Sequence, residues 1–388
     1  MLPAKVRKAA ASRAKSNGQQ EPLWKGPEID GITYSLLCRF LSCRERFRVT
    51  VIDGLRPTDS FNHRLEYGSM WHLCEESFAS ERRHFDGELS GVDTTLWSDN
   101  LEEYAQKLCQ KYPIQQEQVE HWYNVCRTQF PVYVRYWSKQ PDVKDRTPLL
   151  QETAFSVPYK LPSGRIVRLR GKWDSVDLIG KGKQAGIYLQ ENKTKGDIDE
   201  RSLRRQLGSG FDLQTMIYLV ALEGHQFPDG IGKGRPDRLN AAGIRITGIR
   251  YNVVRRPLSG GKGSIVRHKA TKKEPEETKE AFYKRLSAII EASPQEFFMR
   301  WKIEISAADV ERFRRECLDP ILDQLYNWWE WASNPTGAHF QFNPIHWRHP
   351  YGVWNPMDQG FESELDEYLI AGNRTGLKRA TTLFPELE

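Results

Sequence analysis

The stretch RIVRLRGKWDSVDLIGKGKQAGIYLQENKT, Arg165–Thr194, reads as two strands joined by a lysine- and glycine-rich turn. Apolar and polar residues alternate through Arg165–Ile179 and again through Ile187–Thr194, which is the period of a half-buried strand. The GKGKQAG turn between them suits an antiparallel return. Upstream, Leu149–Tyr159 repeats the pattern and is separated from Arg165 by LPSG, so three consecutive strands form an antiparallel meander. Two carboxylates and an ammonium fall inside it: Asp174 in GKWD, and Glu191 and Lys193 in ENK.

Strand geometry says what these groups can do. Side chains alternate sides, so Glu191 and Lys193 face one way and Asn192 the other. Antiparallel neighbours lie about 5 Å apart, so an acid on each of two adjoining strands can share one divalent cation. Mg2+ or Mn2+ held there would make water a better nucleophile and offset phosphate charge. Lys193 beside it can hold that water or stabilise the developing negative charge. Downstream, Gln214 and Tyr218 in QTMIY are i and i+4 on a helix and therefore share a face, within reach of the carboxylates or of a phosphate. Together these residues fit metal-assisted phosphodiester hydrolysis.

The rest of the chain frames that sheet. Residues 1–27 are small, polar and basic and are expected to form a disordered tail. Helices are expected over 29–51, with Leu36, Leu37, Phe40, Leu41 and Phe47 recurring at helical spacing and Thr33 or Ser35 as cap, and over 63–79, with Leu65, Met70, Leu73 and Phe78 inward. Two more follow over 96–109 and 115–137. A helix from Asp199 or Asp212 to Leu222, a strand over Ile244–Val254, a helix over Glu274–Glu291, a strand over Phe297–Ile305 and a long helix over Ala307–Ala332 complete the pattern. The expected fold class is α/β: a central mixed sheet (core 148–305) flanked by helices, with a helical part over 28–140. One domain would span 28–335, and 336–388 would be an irregular extension, weakly helical around 363–369.

The 388 residues carry a net charge of +6, a balance suited to a polyanionic partner. Arg245, Arg250, Arg255, Arg256, Lys262, Arg267, Lys269, Lys272 and Lys273 fall in one glycine-rich stretch, which reads as a phosphate-contacting loop. Lys195, Arg201, Arg204 and Arg205 follow the ENK strand and could line a nucleic-acid backbone. Six scattered cysteines without zinc spacing read as reduced thiols of a cytoplasmic protein. No apolar run approaches the ~20 residues of a membrane helix, and the basic N-terminus lacks the apolar segment of a secretory signal.

The order of these motifs resembles the RecB-like branch of the PD-(D/E)xK nucleases, which includes CRISPR-adaptation nucleases and phage-encoded relatives. That branch has a G-x-x-x-H helix, then GxxD, ExK and QxxxY; here stand Gly68 to His72, Gly171 to Asp174, Glu191 to Lys193 and Gln214 to Tyr218. SLLCRFLSCRERF at Ser35–Phe47 is similar to the branch's opening helix, and YNVVRRP at Tyr251–Pro257 to phage-type members. The resemblance implies a restriction-endonuclease-like core and Mg2+- or Mn2+-dependent hydrolysis of DNA. It implies His72 as a third metal ligand beside Asp174 and Glu191. Exonuclease action in recombination, repair or phage replication, with a helicase or recombination partner, is the first expectation. An endonuclease, or a non-catalytic DNA-binding subunit, is the alternative. Many members hold an iron–sulfur cluster on one early and three late cysteines. Cys43 matches the first, but Phe340–Gly360 offers His346, His349 and Trp354 and no cysteine, so no cluster is expected.

Overall fold

The computed structural model describes residues 22–42, 44–57, 60–84, 95–138, 140, 146–180, 186–207, 212–224, 239–240, 243–244, 246–258, 264–272, 275–332, 376–384 and 387. Cys43, His346, His349, Trp354 and residues 363–369 lie outside these, as do Arg245, Lys262 and Lys273.

Among the described residues, four longer helices precede the sheet: α1 (Tyr34–Ser42), α2 (His63–His84), α3 (Leu96–Lys111) and α4 (Gln116–Ser138). Thr33 caps α1, its hydroxyl accepting from the Leu36 amide at 3.3 Å. The helix expected over 29–51 is broken after α1 into a short helix, Arg44–Phe47, and a π-helical turn, Arg48–Ile52. In α2 the inward stripe is Tyr67, Met70, Trp71, Cys74 and Phe78, at i, i+3, i+4, i+7 and i+11. Leu65, expected inward, is 69% exposed, because the larger rings of Tyr67 and Trp71 set the buried face.

Five strands, β1 (Arg146–Lys160), β2 (Ile166–Ile179), β3 (Gly186–Lys195), β4 (Ile246–Arg255) and β5 (Phe298–Glu304), form one mixed sheet in that order. β2 and β3 run antiparallel with Ser175 opposite Gln190. β3 and β4 run parallel, Glu191 opposite Tyr251 and Lys193 opposite Val253, and β5 returns antiparallel. A parallel neighbour cannot be reached through a tight turn. The crossover carries α5 (Glu200–Leu207) and α6 (Leu213–Glu223), where the sequence suggested one helix starting at either Asp199 or Asp212. Asp212 caps α6 by accepting from the Thr215 amide at 3.1 Å. Every residue of α6 from Thr215 to Leu222 is buried, so this short helix is held by packing on all sides. Gly248 is obligatory in β4, because a Cβ there would strike the Ile303 carbonyl of β5. After β4 come α7 (Lys279–Ala292), then β5, α8 (Ala307–Phe313), a π-helical turn (Arg314–Leu318) and α9 (Asp319–Ala332). The single long helix expected over 307–332 is thus interrupted.

The chain divides into two compact units. One comprises residues 60–153 and 172–310. Its apolar core joins α2, α3, α4 and α7 to β4 and β5, with Trp71 edge-on to Phe130 and to Tyr133, and Tyr133 edge-on to Phe298. Beside that core lies a buried polar layer: Asp177 pairs with Arg146 at 2.7 Å and Arg250 at 2.9 Å, and Asn252 donates to Asn192 and Tyr133 at 2.8 Å. The other unit comprises residues 1–59, 154–171 and 311–388. Trp24, which the sequence assigned to the tail, is fully buried there; it packs against Phe47 and Trp329 and donates to the Gly31 carbonyl at 2.8 Å. An indole gains too much by leaving water to stay in a disordered tail.

The basic stretch also needs correcting. Arg250, Arg255 and Arg256 are buried, Arg250 against Asp177 and Arg255 over the Phe297 ring. Arg267, Lys269 and Lys272 lie in an extended segment without regular structure, where Arg267 pairs with Glu276.

Candidate active site

All the site residues named from the sequence belong to one unit, that of residues 60–153 and 172–310. Stepping one residue along the antiparallel register from Ser175–Gln190 brings Asp174 opposite Glu191, and directly paired residues share a sheet face. The Asn192 amide of β3 donates to Asp174 Oδ2 at 2.7 Å, fixing that carboxylate against the neighbouring strand.

Glu191 is fully buried. Its Oε2 accepts from Lys193 Nζ at 2.8 Å, and Lys193 Nζ also donates to Gln214 Oε1 at 2.8 Å. The alternation that puts Glu191 and Lys193 on one face, and the placement of α6 over it, therefore assemble the acid, the ammonium and the amide. Thr215 of α6 contacts the Tyr251 hydroxyl of β4 at 3.1 Å, which anchors the helix. Tyr218 is buried one turn on, and its carbonyl accepts from the Trp173 indole at 3.1 Å. Burial, aided by the charges of Glu191 and Asp174, raises its phenol pKa, so Tyr218 acts as a neutral hydroxyl.

His72 comes from α2, whose apolar stripe docks the helix; at Gly68 a Cβ would lie 3.5 Å from the Thr194 hydroxyl of β3. His72 Nδ1 lies 2.9 Å from Glu152 Oε1 and 3.5 Å from Asp174 Oδ1. The sequence reading missed Glu152. It sits within β1 and its other oxygen pairs with Lys172 Nζ at 2.7 Å, Lys172 being the second residue of GKWD. The one available signal was an acid in the middle of a strand-like segment. His72, Glu152 and Asp174 each offer a ligand atom within 4.8 Å of the others, a group able to hold a metal ion. Among the described residues, Glu191 Oε1 is buried without a hydrogen-bond partner. A buried carboxylate oxygen left so is costly unless a cation or water completes it.

The electrostatics agree. Burial pushes Glu191 up to about 7 even with Lys193 beside it, and burial likewise raises Asp174. Burial opposes charging of His72, but Asp174 and Glu152 outweigh it and raise the imidazole to about 9. For Glu152 burial again opposes the charge, yet His72 and Lys172 hold it below the usual carboxylate range. Lys193, despite burial, is held charged by Glu191 and Asp174. Glu76, one turn beyond His72, is raised by burial and by the charge of Glu152. Lys195 is half-buried and lowered by burial, then by Lys193 and Arg256. Arg204 pairs with Glu200 at 2.7 Å and caps the Trp301 ring, while Arg201 and Arg205 are exposed.

No curated protein matches the chain. The family model of the PD-(D/E)XK nuclease superfamily matches residues 32–317, which include every residue of the constellation. Nucleases of this superfamily use divalent metals, and the oxygen-rich donor set around His72 and Asp174 fits one. With that match, and with acids on two adjoining strands beside a half-buried lysine, the chain belongs to the PD-(D/E)XK nuclease superfamily.

Proposed function

We propose that the protein is a divalent-metal-dependent deoxyribonuclease that attacks DNA from its ends. The observation that carries the reading is the buried Glu191, with one oxygen on Lys193 and the other without a hydrogen-bond partner among the described residues, across the strand from Asp174. Asp174, Glu191 and His72 would hold the ion. Bound there, a divalent cation supplies Lewis-acid charge to a phosphodiester and favours deprotonation of water. Carboxylates suit Mg2+, and the imidazole shifts the preference toward Mn2+. Lys193 keeps a full positive charge where negative charge develops on the phosphate. Gln214 holds Lys193 in place, and Tyr218 closes the same helix face. Lys195, Arg201 and Arg205 lie along the chain that leaves β3 and would meet the DNA backbone.

Action on ends, and service in recombination, repair or phage replication beside a helicase, rest on the order of motifs shared with the RecB-like branch. The test uses end-labelled linear and circular DNA, single- and double-stranded, with Mn2+, alongside Glu191→Ala. Loss of linear DNA while circles survive, abolished by the substitution, is expected. Cutting of circles would make the protein an endonuclease. Tight binding without cleavage by wild type would refute the catalytic reading in favour of a DNA-binding subunit.

A further inference from the structure

We infer that Glu152 is a positioning residue for the metal, clamping His72 by Nδ1 so that Nε2 is the nitrogen offered to the cation. This rests on the metal-dependent reading above and assigns a task to a residue outside the motifs.

Three observations support it. Both Glu152 oxygens have charged partners, His72 Nδ1 at 2.9 Å and Lys172 Nζ at 2.7 Å, and its side chain is only 3% exposed. Glu152 Oε2 and Glu191 Oε1 are both buried without a hydrogen bond among the described residues, but Glu152 Oε2 is ion-paired with Lys172 at 2.7 Å and Glu191 Oε1 has no ion pair there, so the orienting task goes to Glu152 and the ligand task to Glu191. Glu152 is also the one non-glycine residue among those described with a positive φ, 41°, and it adopts this inside a strand. An L side chain adopts that conformation only against a free-energy cost, and here it aims the carboxylate at the helix histidine. A ring nitrogen that donates to a carboxylate fixes the tautomer and leaves the other nitrogen's lone pair for a metal.

The experiment titrates Mn2+ into wild type and into Glu152→Ala, Glu152→Gln and Glu152→Gly, with affinity read by EPR and histidine ligation read from the nitrogen coupling to Mn2+. Losing the clamp should weaken Mn2+ about 10–100-fold and diminish the nitrogen coupling. Glu152→Gln should recover part of both, since its amide oxygen can accept from Nδ1. Glu152→Gly, free to adopt positive φ, should melt above Glu152→Ala yet bind Mn2+ no better. That separates positioning from mere structural support, in which affinity would follow stability. Weakened Mn2+ with full nitrogen coupling would make Glu152 a direct ligand and overturn the inference. So would affinity within about threefold of wild type in all three variants. If wild type itself bound no Mn2+, the metal-dependent reading would fall and this inference with it. Binding by wild type matched by the variants would sink this inference alone.

Discussion

Replacing Lys193 with Met separates what the lysine does for chemistry from what the carboxylates do for the metal. Its Nζ lies 2.8 Å from Glu191 Oε2, with side chains 19% and 0% exposed. Opposite charges about 4 Å apart attract by about 4 kcal/mol at an effective dielectric near 20, and desolvation offsets much of that. Removing the ammonium does not strand a buried anion. Glu191 already titrates near 7 with the lysine present, so without it the carboxyl takes up a proton and the fold survives. The chemistry has no such escape. Losing one preorganised positive group costs about 2.7–4 kcal/mol of transition-state stabilisation, roughly 10²–10³ in kcat. Metal binding should go the other way, because the lost repulsion acts twice on a divalent ion and once on the competing proton. Single-turnover cleavage at saturating Mn2+ should therefore fall about 10²–10³-fold, while calorimetry gives a Mn2+ affinity equal to or above wild type. Cleavage within about fivefold of wild type, or a parallel loss of metal and cleavage, would refute the role given to Lys193.

Asp174→Ala should abolish the stabilisation that Mn2+ gives wild type, about 2.7 kcal/mol at one hundred times Kd, read as a shift in Tm. Asp177→Ala leaves Arg146 and Arg250 buried without their shared carboxylate; urea unfolding should show a loss of about 3–5 kcal/mol. Gly248→Ala drives a methyl into the Ile303 carbonyl and should cost about 1–3 kcal/mol by the same measurement. His121, stacked on Phe282 and 3.0 Å from the Tyr283 hydroxyl, is held below its ordinary pKa of 6.5 by burial, then by Lys279 and Arg267. The unfolded chain therefore binds the proton first. Its contribution is complete above pH 6.5 and is lost as pH falls through the lower folded value, so His121→Gln should flatten the acid side of the Tm profile.

That Asp174, Glu191, Lys193 and Gln214 come together was legible in the sequence because it follows from local rules. Alternation puts Glu191 and Lys193 together, β2 and β3 are near enough in sequence to pair antiparallel, and i, i+4 spacing aligns Gln214 with Tyr218. What escaped depends on distant partners. Nothing near Arg250 in the sequence announces Asp177, so a buried cation was read as part of a phosphate-binding loop. Leu65 lost its place because two aromatic rings, not the spacing of aliphatic residues, chose the buried face of α2. Glu152 showed in the sequence only as an acid within a strand-like segment, because its contact with His72 depends on a left-handed backbone angle and on the approach of a helix some eighty positions earlier.

The same residues show how the acids of the site are accommodated together. Three carboxylates, Glu152, Asp174 and Glu191, would repel one another in a buried cleft. They are met by three cationic groups, His72, Lys172 and Lys193, each raised in pKa by those acids. These cations offset part of the repulsion, but burial still leaves Glu191 and Asp174 raised in pKa. The orphaned Glu191 oxygen is the residue of that compromise. Among the described residues it is a buried acceptor with neither a hydrogen bond nor an ion pair, and it marks a place where an outside cation gains.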